Sequence, residues 1–354
     1  MHGQSHSMLK ALVGDEAVGA FFSDEAELSA LLEVEAALAA AQAGAGLIGR
    51  EAAQRIAEAC RGFRPDWDGL ARGLAQDGVI VPAFVKQLRA AVGKPHDKAV
   101  HLGATSQDII DTALVLRLKG IIAILEERMA DLISALRDLR ARDGAVRLIA
   151  HTRMQQALPF TGADKIDTWL QPLERHAENL EALAPRLLVV QLGGPIGTRH
   201  ELKDRGGAVA DAMAEVLGLG SGPSWHSQRD RIGEFGAFLS LLSGTLGKLG
   251  QDVALMAQNE MGEARLAAGG GSSAMPHKSN PVQAEVLVTL ARFNAGLLGT
   301  LHQALVHENE RSGAAWTLEW LVLPQMAEST AAGLSKAQAL IAGMRFLPSS
   351  ADEH

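Results

Sequence analysis

Along much of the chain, apolar residues recur at spacings of three and four, with breaks rich in Gly and Pro between them. That is the pattern of amphipathic helices. The spacing predicts a first helix over Ser23–Ala43. Leu28, Leu31, Leu32, Glu35 and Leu38 give it a mostly apolar face. Asp24, Glu25 and Glu27 crowd its first turn, where the helix dipole favours anions, and Gly44 and Gly46 end it. Shorter helices are predicted over Glu51–Cys60 and Val81–Val92, closed by Gly62 and Gly93. These pieces read as a small N-terminal helical domain, residues 1–97. Five longer patterns follow: Ser106–Arg142, Gly162–Leu188, Ser227–Glu263, Pro281–His307 and Trp316–Gly343. Long helices with short connections predict a bundle over residues 98–343, with a polar tail at 344–354. The predicted fold class is all-α. Gly236, Gly244, Gly247, Gly250, Gly296 and Gly299 fall inside these helices. Each costs about 1 kcal/mol against Ala, a cost that close helix–helix approach would offset.

Composition supports this reading. Aromatic residues are 4% of the chain and Tyr is absent, which disfavours a large sheet. The formal charge of −8 argues against a nucleic-acid partner but leaves an anionic substrate open, because a few local cations outweigh the average. Cys60 is the only cysteine, so neither an intrachain disulfide nor a multi-cysteine zinc site is possible. The N-terminus lacks the apolar core of a signal peptide. Uncharged stretches such as the 14 residues Ala36–Gly49 fall short of the roughly 18 that a spanning helix needs. A cytoplasmic protein with no membrane partner is expected. The 12 histidines show no H-E-x-x-H pattern, and there is no G-x-G-x-x-G after a strand and no P-loop. Neither a metal nor a cofactor is expected.

Three helix starts sit beside reactive residue types, and a helix N-terminus binds anions through its unpaired N–H groups. In the first, Thr105 and Asp108 have capping-box spacing, with Ser106 and Gln107 between them and His101 just upstream. In the second, Ser227 and Asp230 have the same spacing beside His226, Arg229 and Arg231. Read alone, the first is better explained by a plain helix cap, and the second is as well explained by a solvated charged helix start. The third, Gly269–Pro281, reads GGGSSAMPHKSNP. Asn280 and Pro281 suit an N-cap and first helical position, the glycines allow close backbone approach, and Lys278 supplies charge for an oxyanion. His307, Glu308, Glu310 and Arg311 read as a solvated helix end.

Gly271–Pro281 resembles the signature loop, GSSxMPxKxNP, of the fumarase/aspartase superfamily. His101–Ala113 (HLGATSQDIIDTA) is similar to that family's first conserved region, and His151–Pro159 (HTRMQQALP) stands in the place of the second. Pro223–Phe235, Gly270–Val282 and His307–Trp320 look most like the cycloisomerase branch. The resemblance implies a long-helix bundle assembled as a homotetramer, with each active site drawn from three subunits. It implies that Ser272 is the general acid or base and that Lys278 and Asn280 contact a substrate carboxylate. It further implies that Thr105, Ser106 and Gln107 form a substrate-binding helix start and that His101 serves binding or proton transfer. Ser273 and Met275 of the loop, Thr152, Arg153 and Gln155 of the second region, and His226 and Arg229 complete the expected substrate contacts. Two departures stand out. Arg153 follows Thr152 where many lyases of the family carry histidine, and the chain ends soon after the last bundle helix, so a truncated C-terminal domain is expected.

What the resemblance implies chemically is an intramolecular lyase. A carboxylate of a tricarboxylated muconate is already ionised at neutral pH and closes a lactone on its own diene. The demanding step is proton delivery to the carbanion that results, which needs an acid and fixed positive charge. Such a reaction permits loss of the lyase histidine. An adenylosuccinate-type C–N lyase releasing fumarate shares the loop and bundle, and a sulfo-substituted muconate suits the same site. A scaffold without chemistry would not need Ser272, Lys278 and Asn280.

Overall fold

The computed structural model describes residues 7–267, 270–271, 275 and 279–349. Two short helices, α1 (Ser7–Val13) and α2 (Glu16–Ala20), precede α3 (Asp24–Gly44). Ser23 caps α3 by accepting the Ala26 N–H, so the first-turn acids stand where the sequence puts them. Then come α4 (Arg50–Arg61), α5 (Trp67–Asp77) and α6 (Val81–Val92). The pattern predicts α4 and α6 but not α1, α2 or α5. Helix α5 carries Gly69 and Gly73 in its interior, which weakens its local signal.

The bundle is formed by α7 (Ser106–Asp143), α8 (Gly162–Leu187), α10 (Asp230–Met256), α11 (Val282–Gln303) and α12 (Gly313–Ala342), with the short α9 (Gly206–Leu217) inserted between α8 and α10. All five long patterns are present, with shifted ends. Helix α10 starts three residues after Ser227, with Arg229 at its N-cap, so Ser227 and Asp230 form no capping box. Pro281, not Asn280, is the N-cap of α11. Asn280 instead pairs with Gly270 in an antiparallel bridge through both backbone hydrogen bonds. Ser312 caps α12 four residues before the predicted start, accepting the Ala315 N–H.

Two small antiparallel sheets were not predicted. The hairpin of β1 (Arg147–Thr152) and β2 (Gln155–Thr161) joins α7 to α8, and β3 (Ala264–Leu266) pairs with β4 (Met344–Phe346). Arg153 and Met154 form the hairpin turn, both at positive φ, in the two-residue geometry that matches strand twist. Neither is Gly, Asn or Asp, so the turn carries no sequence signal.

The bundle encloses one core around Trp169, Phe235, Leu246 and Met326. Inside it, the Asn294 amide of α11 donates to Ser243 Oγ of α10 and Thr330 Oγ1 of α12, so the buried polar groups tie three helices together. A second core joins α3, α4 and α6 to the start of α7, to α9 and to Trp316 of α12. It therefore seats the N-terminal helices on the same end of the bundle as the α7 N-terminus.

The bundle glycines divide in two. Gly236, Gly247 and Gly250 of α10 face α11 so closely that a Cβ would collide with Leu301, Ala291 and the Ala284 carbonyl, respectively. Gly244, Gly296 and Gly299 have nothing within 4 Å of where a Cβ would stand. Close approach within the chain therefore accounts for the first three only. Helix α11 is long and apolar enough to cross a membrane by length and composition, a test that core helices also pass.

A Cβ on Gly250 would lie 2.5 Å from the Ala284 carbonyl oxygen and 2.7 Å from Leu287 Cβ. Gly250→Ala is expected to destabilise the fold by about 1–3 kcal/mol through overpacking, despite the better helix propensity of Ala. Thermal unfolding followed by circular dichroism measures this, and an unchanged or raised midpoint would refute the tight α10–α11 contact.

Candidate active site

Thr105 caps α7 in an extended conformation, and its backbone N–H donates to Asp108 Oδ2 at 2.9 Å. The capping pair read from sequence thus forms, but Asp108 does far more than cap. It is fully buried. Its Oδ2 also accepts the Gly194 N–H, while Oδ1 accepts from Gly193 N–H at 2.7 Å, from the Gln191 amide and from His226 Nε2 at 2.8 Å. The segment 191–194 is thereby pinned against the α7 start. Gly193 is required there, since a Cβ would collide with Ser224 Oγ and His226 Cε1.

One turn further along α7, Asp111 is also fully buried. The Arg229 guanidinium lies between Asp111 and Glu319 of α12. Nη1 and Nη2 reach Asp111 at 2.6 and 3.1 Å, and Nε and Nη2 reach Glu319 at 2.9 and 2.5 Å. The Trp225 ring stacks 4.8 Å from the guanidinium carbon, and Trp316 Nε1 donates to Asp111. Burial alone would push the Arg229 pKa down, but the two carboxylates outweigh it and hold the pKa above its ordinary value. Burial likewise pushes Glu319 up, and hydrogen bonding to Arg229 overcomes this and leaves it below the usual carboxylate range. The His307 side chain is buried against the same group, with Nε2 3.8 Å from Glu319 Oε1.

These contacts engage several of the expected residues within the protein. Arg229 spends its donors on two carboxylates inside the protein, and His226 spends Nε2 on Asp108. Gln107 is fully buried; its amide nitrogen donates to Asp111 and the His226 carbonyl, and its oxygen accepts from Arg311 Nε at 2.9 Å. All three therefore brace the helix start in this structure, although the buried Nδ1 of His226 has no hydrogen-bond partner among the described residues. Thr105, Ser106 and His101 remain partly exposed at its surface. Arg311, read from sequence as part of a solvated helix end, is joined to the site by its bond to Gln107, and Nη2 also donates to the Pro195 carbonyl.

His101 lies in the turn just before the helix, at φ +63, in the left-handed region that side chains rarely adopt. Its Nδ1 is 2.6 Å from Glu35 Oε1. Burial pushes the His101 pKa down, but the Glu35 charge and hydrogen bond, with Asp108 behind them, raise it above the ordinary value. Glu35 was legible in the sequence only as an interruption of an apolar face.

The second region stands elsewhere. Thr152, Arg153 and Gln155 are exposed at the tip of the β1–β2 hairpin, which leaves the bundle at the C-terminal end of α7. At 1.5 Å per residue, the 38 residues of α7 separate that end from Thr105 by about 57 Å. The third region is anchored at the hairpin's end, because β3 pairs with β4 and Glu263 accepts the Ile149 N–H of β1. Met275 is exposed, and Asn280 sits in the bridge to Gly270. Ser272, Ser273 and Lys278 lie outside the described residues. Within one chain, the first region stands apart from the second region and from the Gly270–Asn280 bridge. Among the described residues, no group of three or more His, Cys, Asp or Glu is placed to hold a metal ion.

The long-helix bundle and these three regions define a lyase of the fumarase/aspartase type. The Lyase family model matches residues 13–294, and the chain belongs to that family. It is 42% identical to the 3-carboxy-cis,cis-muconate cycloisomerase of Pseudomonas aeruginosa over 92% of this chain and 72% of that protein. It is 39% identical to the enzyme of the same name from Acinetobacter baylyi, over 91% and 74%. Among solved structures, the 3-carboxy-cis,cis-muconate lactonizing enzyme of Pseudomonas putida superposes with a TM-score of 0.90 at 39% identity, covering 96% of this chain and 77% of that one.

The Arg229 bracket predicts an acid sensitivity. Glu319 is held below its ordinary value of 4.5, so its contribution to stability is present above that pH and is lost as pH falls through the lowered folded value. Glu319→Gln is expected to flatten the fall in stability on the acid side. Arg229→Met strands two buried carboxylates and is expected to cost about 3–5 kcal/mol near neutrality. Urea unfolding across pH measures both; an Arg229→Met protein as stable as wild type would refute the bracket.

Proposed function

We propose that the protein is a 3-carboxy-cis,cis-muconate cycloisomerase, an intramolecular lyase that interconverts the muconate and its carboxymuconolactone in protocatechuate catabolism. The observation that carries this reading is the high identity to enzymes of that name across a chain that retains the His101–Gln107 helix start and the Gly271–Pro281 loop. Substrate and product differ only by proton uptake and ring closure, so no redox cofactor is required.

In the proposed reaction, a carboxylate oxygen of the substrate adds to its own diene. One C–O bond forms, one C=C π bond is lost, and the electron pair moves to the carbon next to a second carboxylate. Ser272 donates the proton to that carbon, and Lys278 stabilises both the aci-carboxylate and the serine alkoxide. The serine regains its proton from solvent. The start of α7, with its first-turn N–H groups, Thr105 and Ser106, receives another carboxylate, and His101 supplies a cationic N–H beside it. Asn280 and Arg153 contribute the remaining contacts, together with Ser273, Met275, Thr152 and Gln155.

The active assembly in this reading is a soluble, cytoplasmic homotetramer whose sites combine regions from different subunits. Two observations support it. The first region lies at one end of α7, and the second region and the Gly270–Asn280 bridge lie at the other, within one chain. Gly244, Gly296 and Gly299, together with exposed Leu241 and Phe293, leave α10 and α11 an outer face open to helix packing.

Purified protein added to 3-carboxy-cis,cis-muconate is expected to remove the conjugated-diene absorbance without added metal or cofactor. No loss by a folded protein, together with fumarate release from adenylosuccinate, would overturn the reading. Ser272→Ala is expected to lower kcat by about 10²-fold or more with helix content unchanged, in line with loss of a positioned proton donor. Mixing inactive Ser272→Ala with inactive Thr105→Val, after dissociation and reassembly, is expected to restore part of the activity through hybrid sites. Failure of mixed tetramers to recover activity would argue for sites within one chain.

A further inference from the structure

Glu35 lies in the middle of α3, on a helix face otherwise made of Leu28, Leu31, Val34 and Leu38. It is 1% exposed. Burying a carboxylate among aliphatic side chains is costly unless something compensates it. Among the described residues, its one hydrogen-bond partner is His101 Nδ1, 66 positions away. Gln42 stands two turns further along α3, also fully buried, and its amide donates to the Leu102 carbonyl at 2.5 Å. The helix thus grips the turn before α7 twice, once by the imidazole and once by the next residue's backbone. A helix needing only to pack would place apolar residues at both positions.

The grip leaves the imidazole one free edge. Nδ1 faces Glu35, whereas Nε2 has no hydrogen-bond partner among the described residues and belongs to a side chain that is 14% exposed. The left-handed backbone at His101 is strained for a side-chain-bearing residue, so the orientation is held by surrounding structure. Cys60 is nearby, and burial together with the Glu35 charge pushes its thiol up to about 12, so it stays neutral and does not compete for His101. The charged groups that bear on the imidazole are Glu35 from α3, Asp108 from α7 and Arg89 from α6, the last opposing the other two.

We propose that Glu35 is a positioning residue for His101: its buried carboxylate accepts the Nδ1–H and turns the Nε2 edge, as an N–H donor, toward a substrate carboxylate at the start of α7. This inference rests on the cycloisomerase reading for the identity of that substrate. Glu35 itself touches no substrate and acts only through the imidazole. The charge of Glu35 favours the protonated imidazole and so raises the His101 pKa above its ordinary value, which favours the donor form that an anionic substrate meets.

The test has a readout that needs no turnover. Histidine Cε1–H signals are titrated in protein carrying ¹³C-labelled histidine, with the His101 signal identified by its loss in His101→Asn. In wild type, His101 is expected to titrate above its ordinary 6.5. In Glu35→Gln, its midpoint is expected to fall by about one pH unit or more, a tenfold change in proton affinity. The basic limb of kcat/KM on carboxymuconate is expected to move down with it. Variant and wild type then converge at acid pH and differ by about tenfold or more at pH 8. Glu35→Asp, which keeps the charge, is expected to restore part of the shift. A wild-type midpoint at or below 6.5, or a folded Glu35→Gln protein with midpoint and limb unmoved, would overturn the proposal. If Glu35→Gln does not fold, the wild-type and Glu35→Asp titrations decide it. A wild type inactive on carboxymuconate would sink the substrate reading, while the titrations would still judge the Glu35–His101 coupling.

Discussion

Five donors converge on the carboxylate of Asp108, a fully buried group on the first turn of α7. A buried carboxylate tolerates no missing partner, so each of those donors is fixed in turn. Thr105 is fixed as the cap, the segment 191–194 as a wall, and His226 in the loop that leads into α10. The same logic repeats one turn along, where Asp111 and Glu319 share Arg229. Four segments distant in sequence are thereby held at one helix start. The site's surface residues, Thr105, Ser106 and His101, sit on a polar frame that leaves them little freedom, which is what positioning a carboxylate for a strained intramolecular attack requires.

That frame explains which parts of the molecule were legible in the sequence. Capping pairs and apolar periodicity are local signals, so α3, α6 and the start of α7 were readable to within a residue. The start of α10 was not. Ser227 and Asp230 have the spacing of a capping box, but the chain is claimed there by Arg229, whose partners lie 118 residues before it and 90 after it. The β1–β2 turn was invisible for a related reason. Arg153 and Met154 adopt a conformation that their residue types disfavour, so the strand pairing on either side imposes it. In α9, two leading glycines hid a helix that the second core holds in place through Val209 and Met213.

The chemistry followed the same division. The loop motif and the Thr105 helix start were evident because their residue types are unusual in sequence. Which polar residues support the frame was not evident, because the long-range partners of Gln107, His226 and Arg229 leave no local signal. Glu35 and Arg311 were missed in the opposite sense. One was concealed in an apolar helix face and the other in a run of solvated-looking charges, and long-range hydrogen bonds tie them to the site, one for Glu35 and two for Arg311.

The length of α7 carries the last step. A helix of about 57 Å is rigid on the scale of a small substrate, so residues at its two ends cannot converge by bending. Yet the cationic hairpin tip and the anchors of the 270–280 loop stand at one end, and the braced helix start at the other. A chain built for a site of its own would not separate its parts along its stiffest elements. The proposed assembly resolves this by antiparallel packing, which sets the far end of one bundle beside the near end of another. It also gives Gly244, Gly296 and Gly299 the close helix neighbours that the single chain does not provide. Arg153, presented at the tip of a two-residue turn, then meets a substrate held by a neighbouring subunit. In the proposed reaction its charge would contact a substrate carboxylate, since no amine leaving group needs protonation.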